Sequence, residues 1–205
     1  MTEKEKREII LDVAEKLFYG KGYEETSMAQ IQKETGIARG TLYYYFESKE
    51  DILDEVIRRQ GDLMFAHARM ISQDKSLLVQ DRLIKTLLAM SASNGQIENL
   101  EDIHTSPNAL LHQKINNYIV ENATPFLTDI IEDGIKEGIF KTEVPKYAME
   151  MILIYINVAF DHTKNYNQQD KMDRFQALSI NIHRLLGAEP GIIDFSKLIK
   201  GGMNE

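Results

Sequence analysis

Apolar residues recur at helical spacing along nearly the whole chain, and the breaks fall at glycine, proline and capping residues. Over residues 6–19, Ile10, Val13, Ala14 and Leu17 form one stripe with Phe18 beside it, which predicts an amphipathic helix. Gly20 and Gly22 close it, and Tyr23 is expected to fold back onto it. A short second helix is expected from Ser27, with Met28 and Ile31 on its apolar side. Ser27 can cap that helix, and Gln30 can return a bond to the amide of the cap. Gly36 ends it, because glycine accepts the left-handed backbone just past a helix end. Ile37 plugs the turn. A third helix is expected over residues 38–45, with Leu42 and Phe46 four apart on one face. Arg39, Gly40, Thr41, Tyr43 and Tyr44 are left for the other face. Two short helices joined by a tight turn with glycine make a helix-turn-helix, whose second helix enters the major groove of DNA.

A long fourth helix is expected from Ser48, capped reciprocally with Asp51, to about residue 71. Ile52, Leu53, Val56, Leu63 and Met64 make its inner stripe, interrupted by Gln60. Gly61 reads as a weak point, costing about 1 kcal/mol relative to alanine. Helices are then expected over residues 76–93, 97–105 and 108–122, the last opened by Ser106-Pro107. Thr124-Pro125 restarts the chain, proline being favourable at a first helical position, and that helix runs to Gly138. Val144-Pro145 starts another over residues 146–165, whose YAMEMILIYINVAF is apolar nearly all round and must be buried on most sides. A helix over residues 172–186 carries Met172, Phe175, Leu178, Ile182, Leu185 and Leu186, and a short one is expected at 192–199. One small domain has too few helices to cover 146–165. A second copy of the chain is therefore expected there, the two helices 146–165 and 172–186 from each copy forming a four-helix bundle. The predicted architecture is all-α: a helix-turn-helix domain over residues 1–50, joined by the long fourth helix to a helical domain over 51–205.

The outward face of the third helix carries suitable chemistry for DNA. Arg39 can bond bidentately to a guanine edge, and the Thr41 methyl can meet a thymine methyl. Gly40 lets the backbone approach, and tyrosine hydroxyls suit phosphate oxygens. Lys49 lies in the first turn of the next helix, where its charge opposes the helix dipole, so an outside anion suits it. Phe46 reads as core, and Tyr45 divides between core and phosphate. Successive helix positions point about 100° apart, so Tyr43, Tyr44 and Tyr45 are not all core.

Residues 9–56 resemble the DNA-binding region of TetR-family transcriptional regulators. The matching pieces are ILDVAEKLFYGKGYEETSM and IQKETGIARGTLYYYFESKEDIL, of which GTLYYYF with the following SKE is the most specific. The resemblance implies base or groove contacts from Met28, Arg39, Gly40, Thr41 and Tyr44, and phosphate contacts from Ser27, Tyr43, Tyr45 and Lys49. Ala38 departs from the capping serine often found there, a loss of about 1 kcal/mol at the start of the helix. The resemblance also implies a dimeric repressor released from its operator by a small-molecule effector, bound within residues 51–205. Nine methionines, Met64, Met70 and Met90 among them, can line an adaptable apolar space with Phe65, Tyr118, Tyr155 and Phe160. An apolar or amphipathic guest is expected, with His67, His104, His112, Asn157 and Asp161 as polar groups to orient it.

Charge weighs against DNA binding and then refines it. The net charge is −8, and residues 1–59 hold ten Lys/Arg against thirteen Asp/Glu, whereas a basic patch is the usual footprint of a DNA binder. A modest phosphate footprint per subunit is expected, and hence a need for two subunits and a preference for low salt. The chain has no cysteine, which excludes disulfides and thiolate zinc sites. The charged start lacks an apolar signal core, and the longest apolar run, residues 147–160, is too short to span a bilayer and contains Glu150 and Asn157. A cytoplasmic protein without a membrane partner is expected. GxxxxGK, GxSxG and HExxH are all absent, so no enzyme activity, cofactor or metal is expected. His104, Asn108 and His112 would share a face only on one helix, and Pro107 separates them. Two alternatives stand: an architectural DNA binder without an effector, opposed by the acidic balance and the large second domain, and a helical enzyme with a cryptic site, opposed by the lack of a catalytic set.

Overall fold

The computed structural model describes residues 2–94, 109–159 and 166–193. Among them are eight helices and no strand: α1 (Glu3–Gly20), α2 (Met28–Thr35), α3 (Arg39–Tyr45), α4 (Lys49–Gln73), α5 (Val79–Asn94), α6 (Ala109–Lys136), α7 (Pro145–Ala159) and α8 (Gln168–Leu186). Contacts divide the chain into two units, the boundary falling between Asp62 and Leu63 within α4 and between Tyr118 and Ile119 within α6. The helix expected at 97–105, the end of that at 146–165, and residues 194–199 of the short C-terminal one lie outside the described residues.

The first unit closes around Ile10, Leu11, Ala14 and Phe18 of α1, Ile31 of α2, Leu42 of α3, Phe46, and Ile52, Leu53 and Val56 of α4. The buried stripe of α1 is turned from the expected one. Leu11 and Tyr19 are inside, while Val13 and Leu17 are half-buried. Both stripes have helical spacing, and seating the Phe18 ring against Tyr23 at 5.3 Å selects the one with more aromatic surface to bury. α1 also starts earlier than its apolar pattern. Thr2 Oγ1 accepts from the Glu5 amide at 3.2 Å, and Glu5 accepts from the Thr2 amide at 2.8 Å, a reciprocal cap. The same box forms between Ser48 and Asp51, at 3.0 Å each way. At α2 only half of it forms. Ser27 accepts from the Gln30 amide at 3.2 Å, but the Gln30 side chain accepts from Lys21 Nζ at 3.1 Å instead. Charged groups then lace α4 to α1. Arg59 reaches Glu8, Asp12 and Glu15 at 3.0, 2.7 and 2.5 Å, and Arg7 reaches Glu55 at 2.6 Å while lying over the Phe46 ring.

In the second unit α6 corrects the expected break at Thr124-Pro125: it runs without interruption through Pro125. Proline removes one backbone bond, but Ala123, Phe126, Leu127, Ile130 and Ile131 are buried around it, and that burial holds the helix together. Leu63 corrects another expectation, standing 69% exposed rather than inward, while Met64 and Phe65 are buried. Phe65 meets Phe126 edge to face at 5.8 Å, and Lys75 pairs with Asp133, so α6 runs alongside α4 in the same direction. α5 follows after the short turn between Gln73 and Val79. Arg82 of α5, only 2% exposed, bonds Asp133 at 2.6 Å. After α6, the Phe140 ring lies where a side chain on Gly134 would stand, 2.2 Å from an added Cβ.

Lys75 first, and then Arg82, hold the Asp133 carboxyl down at about 2. A depressed carboxyl contributes stability above its ordinary value of 3.8 that is lost as the pH falls through about 2. Asp133→Asn would leave Arg82 buried without its counter-charge and is expected to cost about 3 kcal/mol near pH 7. That deficit should shrink between pH 4 and pH 2 as wild type protonates, read by urea unfolding at each pH; a pH-independent deficit would show that the charge is not what stabilises the contact.

Candidate nucleic-acid interface

α3 is seven residues long and is held by what it buries. Leu42 is fully buried, and Phe46, the residue at its C-terminal cap, nearly so. The turn before it is tied down as well. Gln32 Nε2 donates to the Ile37 carbonyl at 3.1 Å, and the Ile37 amide donates to Thr35 Oγ1 at 3.3 Å. Gly36 takes the left-handed conformation, with φ 66°, that this turn requires. With Leu42 and Phe46 inside, Arg39, Gly40, Tyr43 and Tyr44 stand outside, Tyr44 being 73% exposed. Arg39 lies over the Tyr43 ring at 5.6 Å, a cation–π contact that limits the rotamers of both. A Cβ on Gly40 would meet nothing within 4 Å, and its φ is not positive. Neither the fold nor the backbone therefore requires glycine there.

The other sequence-derived DNA positions are less open. Thr41 is half-buried. Tyr45 packs partly against the core and meets Tyr44 edge to face at 5.1 Å. Met28 is also partly buried against the core, and the Ser27 hydroxyl is engaged as the α2 cap. Lys49 has a partner inside the chain: Nζ donates to the Tyr23 carbonyl at 2.7 Å and sits 4.0 Å above the Tyr23 ring. Burial first, then Glu50 and Glu24, hold the Tyr23 hydroxyl above its ordinary range, so that ring stays neutral. Thr26 bonds the Gly22 carbonyl at 2.8 Å and the Leu17 carbonyl at 3.3 Å, fixing the chain between α1 and α2. Glu8, Asp12, Glu15, Glu50, Asp54 and Glu55 are all in ion pairs, shared among Arg7, Arg59 and Lys114.

Of the ten residues expected around an effector, the eight that are described fall in both units. Met64, Phe65 and Met90 are buried in the second unit. His67 and Met70 are exposed on α4, and Tyr155 is exposed on α7. His112 and Tyr118 are half-buried and belong to the first unit. His104 and Phe160 lie outside the described residues. No group of three His, Asp or Glu among the described residues is placed to hold a metal ion, and no described helix is long and apolar enough to cross a membrane. Sequence reasoning missed a set of buried polar groups on α5 and α6. Arg82 Nε and the hydroxyls of Thr86, Thr124 and Thr128 are buried without a hydrogen-bond partner among the described residues. No local signal marks them, since threonine at helical spacing reads as ordinary.

Comparison with known proteins brings these features together. The family model for bacterial regulatory proteins of the tetR family matches residues 10–56, and that for the Tetracyclin repressor-like C-terminal domain matches residues 90–179. HTH-type transcriptional regulators of Staphylococcus aureus strains USA300 and COL are 44% identical over 71 residues, 35% of this chain. The match spans only 38% of the length of those relatives. A TetR-family transcriptional regulator from Syntrophomonas wolfei superimposes with a TM-score of 0.65 at 24% identity, over 93% of this chain and 100% of that one. The fatty acid degradation regulator FadR from Bacillus halodurans does so at 0.60 and 23%, over 88% and 94%. At these identities the likeness is one of fold.

Ala38 occupies the N-cap of α3 in extended conformation and makes no side-chain cap. Ala38→Ser is expected to stabilise the chain by about 1 kcal/mol, seen as a higher urea midpoint at unchanged slope. An unmoved midpoint would mean that the first amides of α3 already have partners.

Proposed function

The chain belongs to the TetR family of bacterial regulatory proteins, and on that premise we propose that it is a dimeric DNA-binding transcriptional repressor, released from its operator by a small apolar or amphipathic effector. The observation that carries the reading is the outer face of α3. A helix in helix-turn-helix position buries Leu42 and holds Arg39, Gly40, Tyr43 and Tyr44 in the open. Arg39 is the base-reading group, bidentate to guanine, with Thr41 beside it. Gly40 admits the backbone to the groove. Tyr43, Tyr44 and Tyr45 serve phosphate or groove contacts, with Ser27 and Met28 at the start of α2 completing the footprint. Lys49 anchors the Tyr23 carbonyl in the free protein and turns to phosphate only when that bond is exchanged.

The dimer reading rests on α7. Tyr147, Met151, Ile154, Tyr155 and Val158 follow helical spacing and are all exposed, opposite the buried Ala148, Met149, Ile152 and Leu153. Met172 and Ile180 of α8 add exposed apolar surface, and α7 and α8 pack on each other. Such a stripe on a soluble helix needs a cover, and the same stripe of a second copy supplies it in a four-helix bundle. Two reading helices then meet half-sites one helical turn of DNA apart, about 34–36 Å.

The effector reading draws on the second unit. Buried polar groups without partners are costly, and Arg82, Thr86, Thr124 and Thr128 present such groups in the unit that also buries Phe65 and Phe126. A guest with an apolar body and a carbonyl or carboxyl group would satisfy them. The effector need only prefer the non-binding arrangement by about 1–3 kcal/mol.

Two outcomes test this reading. Arg39→Ala should lower affinity for a duplex enriched from a random pool by about 1–3 kcal/mol with no change in melting temperature; unchanged affinity in a gel-shift titration would remove Arg39 from base recognition. Ile154→Glu should split the dimer, because Ile154 is 52% exposed on its own chain and lies within the stripe. A carboxylate buried at an apolar interface costs several kcal/mol, about 2–7 even for a neutral polar group. A dimer persisting in sedimentation at micromolar concentration would place the interface elsewhere.

A further inference from the structure

Residues 109–118 are far from the helix-turn-helix in sequence, yet they pack inside its unit. Leu111 is fully buried in the core that holds Leu42 and Phe46, and Leu110, Ile115 and Tyr118 pack against it. Lys114 Nζ lies 2.8 Å from Glu50 Oε1 and 2.6 Å from Asp54 Oδ1. Those carboxylates are four apart on α4 and would otherwise repel. One turn farther along α6, the Tyr118 ring fills the space that a side chain at position 61 would need. A Cβ on Gly61 would stand 2.0 Å from Tyr118 Cε1, far inside carbon–carbon contact distance. The Tyr118 hydroxyl donates to Asp62 Oδ1 at 3.1 Å and lies 3.4 Å from the Arg58 carbonyl.

Gly61 has no positive φ, and glycine in mid-helix costs about 1 kcal/mol relative to alanine. The seated ring, and not the backbone, is what the glycine serves. Asp62 and Tyr118 are also the last residues of the first unit on α4 and α6. The two helices are thus pinned to each other at the point where both leave it. α4 begins three residues after Phe46, the C-terminal cap of α3, so whatever sets the axis of α4 sets the aim of α3.

We propose that Tyr118 and Lys114 are positioning residues of the DNA-reading unit: Tyr118 seated on Gly61, and Lys114 astride Glu50 and Asp54, fix α4 and through it the orientation of α3. The proposal rests on the reading of α3 given above. A displacement of α4 then carries α6 with it, and the unit responds to the pair and not to α4 alone.

The test uses the full chain and a duplex enriched by wild type from a random pool, against an unselected duplex of equal length, well below every melting temperature. Gly61→Ala displaces the ring. It should cut the preference for the enriched duplex about tenfold, within the usual range of coupling between sites, and raise hydrogen exchange of amides 109–118. Tyr118→Ala should do the same, and the double variant should lose no more than either single one, because both remove one contact. Tyr118→Phe keeps the ring and loses only the hydroxyl, so its loss should be smaller. A purely structural contact would lower the melting temperature and speed exchange while leaving the preference unchanged, and that result overturns the proposal. Exchange and preference both unchanged in Gly61→Ala overturns it as well. A wild type that enriches no duplex overturns the reading of α3 itself, before any variant is made.

Discussion

A seven-residue helix cannot sustain itself in water, since helices shorter than about 12 residues are marginal even with favourable sequences. α3 has that length and lacks a side-chain cap at Ala38. It exists because Leu42 and Phe46 are buried among α1, α2 and α4. This burial is the constraint on which the rest of the first unit depends. It orients the helix, and by occupying one face it leaves Arg39, Gly40, Tyr43 and Tyr44 to the other. Ile37 and the bonds from Gln32 and Thr35 fix the entry to the same helix. The exposed face of α3 is what remains once the core is satisfied.

Electrostatics follow from the same economy of space. The first 59 residues carry more acid than base, which on composition alone opposes contact with a polyanion. In the fold, Arg59 gathers Glu8, Asp12 and Glu15, Arg7 takes Glu55, and Lys114 takes Glu50 and Asp54. Most of these pairs are surface contacts worth little each in stability. Their larger effect is to set α1 and α6 against α4. Lys49, by contrast, is drawn to the Tyr23 carbonyl, which removes the conflict with the helix dipole that its position in the chain predicts.

The long helices show how a local rule yields to packing. Pro125 is sound grounds for a break, and so is a mid-helix glycine for a weak point. Yet α6 is continuous through Pro125 because five apolar residues around it are buried, and Gly61 is where a ring from α6 comes closer than any side chain would permit. In both cases the cost of the residue is offset by contacts made to another helix.

What the sequence determined by itself is what arises within one or two helical turns. The capping pair Ser48 and Asp51, the end of α2 at Gly36, the exposure of Arg39 and Tyr44, and the all-helical character are legible because interactions at i, i+3 and i+4 create them. The family resemblance is legible for the same reason, as its motif is a contiguous stretch. Tertiary structure alone decided which stripe of α1 is buried, that Gln30 turns to Lys21, and that the Tyr118 ring seats on Gly61. It also decided that Arg82 is buried against Asp133. These are pairings between residues tens of positions apart. Helical periodicity says that a face must be covered, but the partner that covers it is chosen by volume, charge and reach among all the faces available, and no local pattern carries that choice.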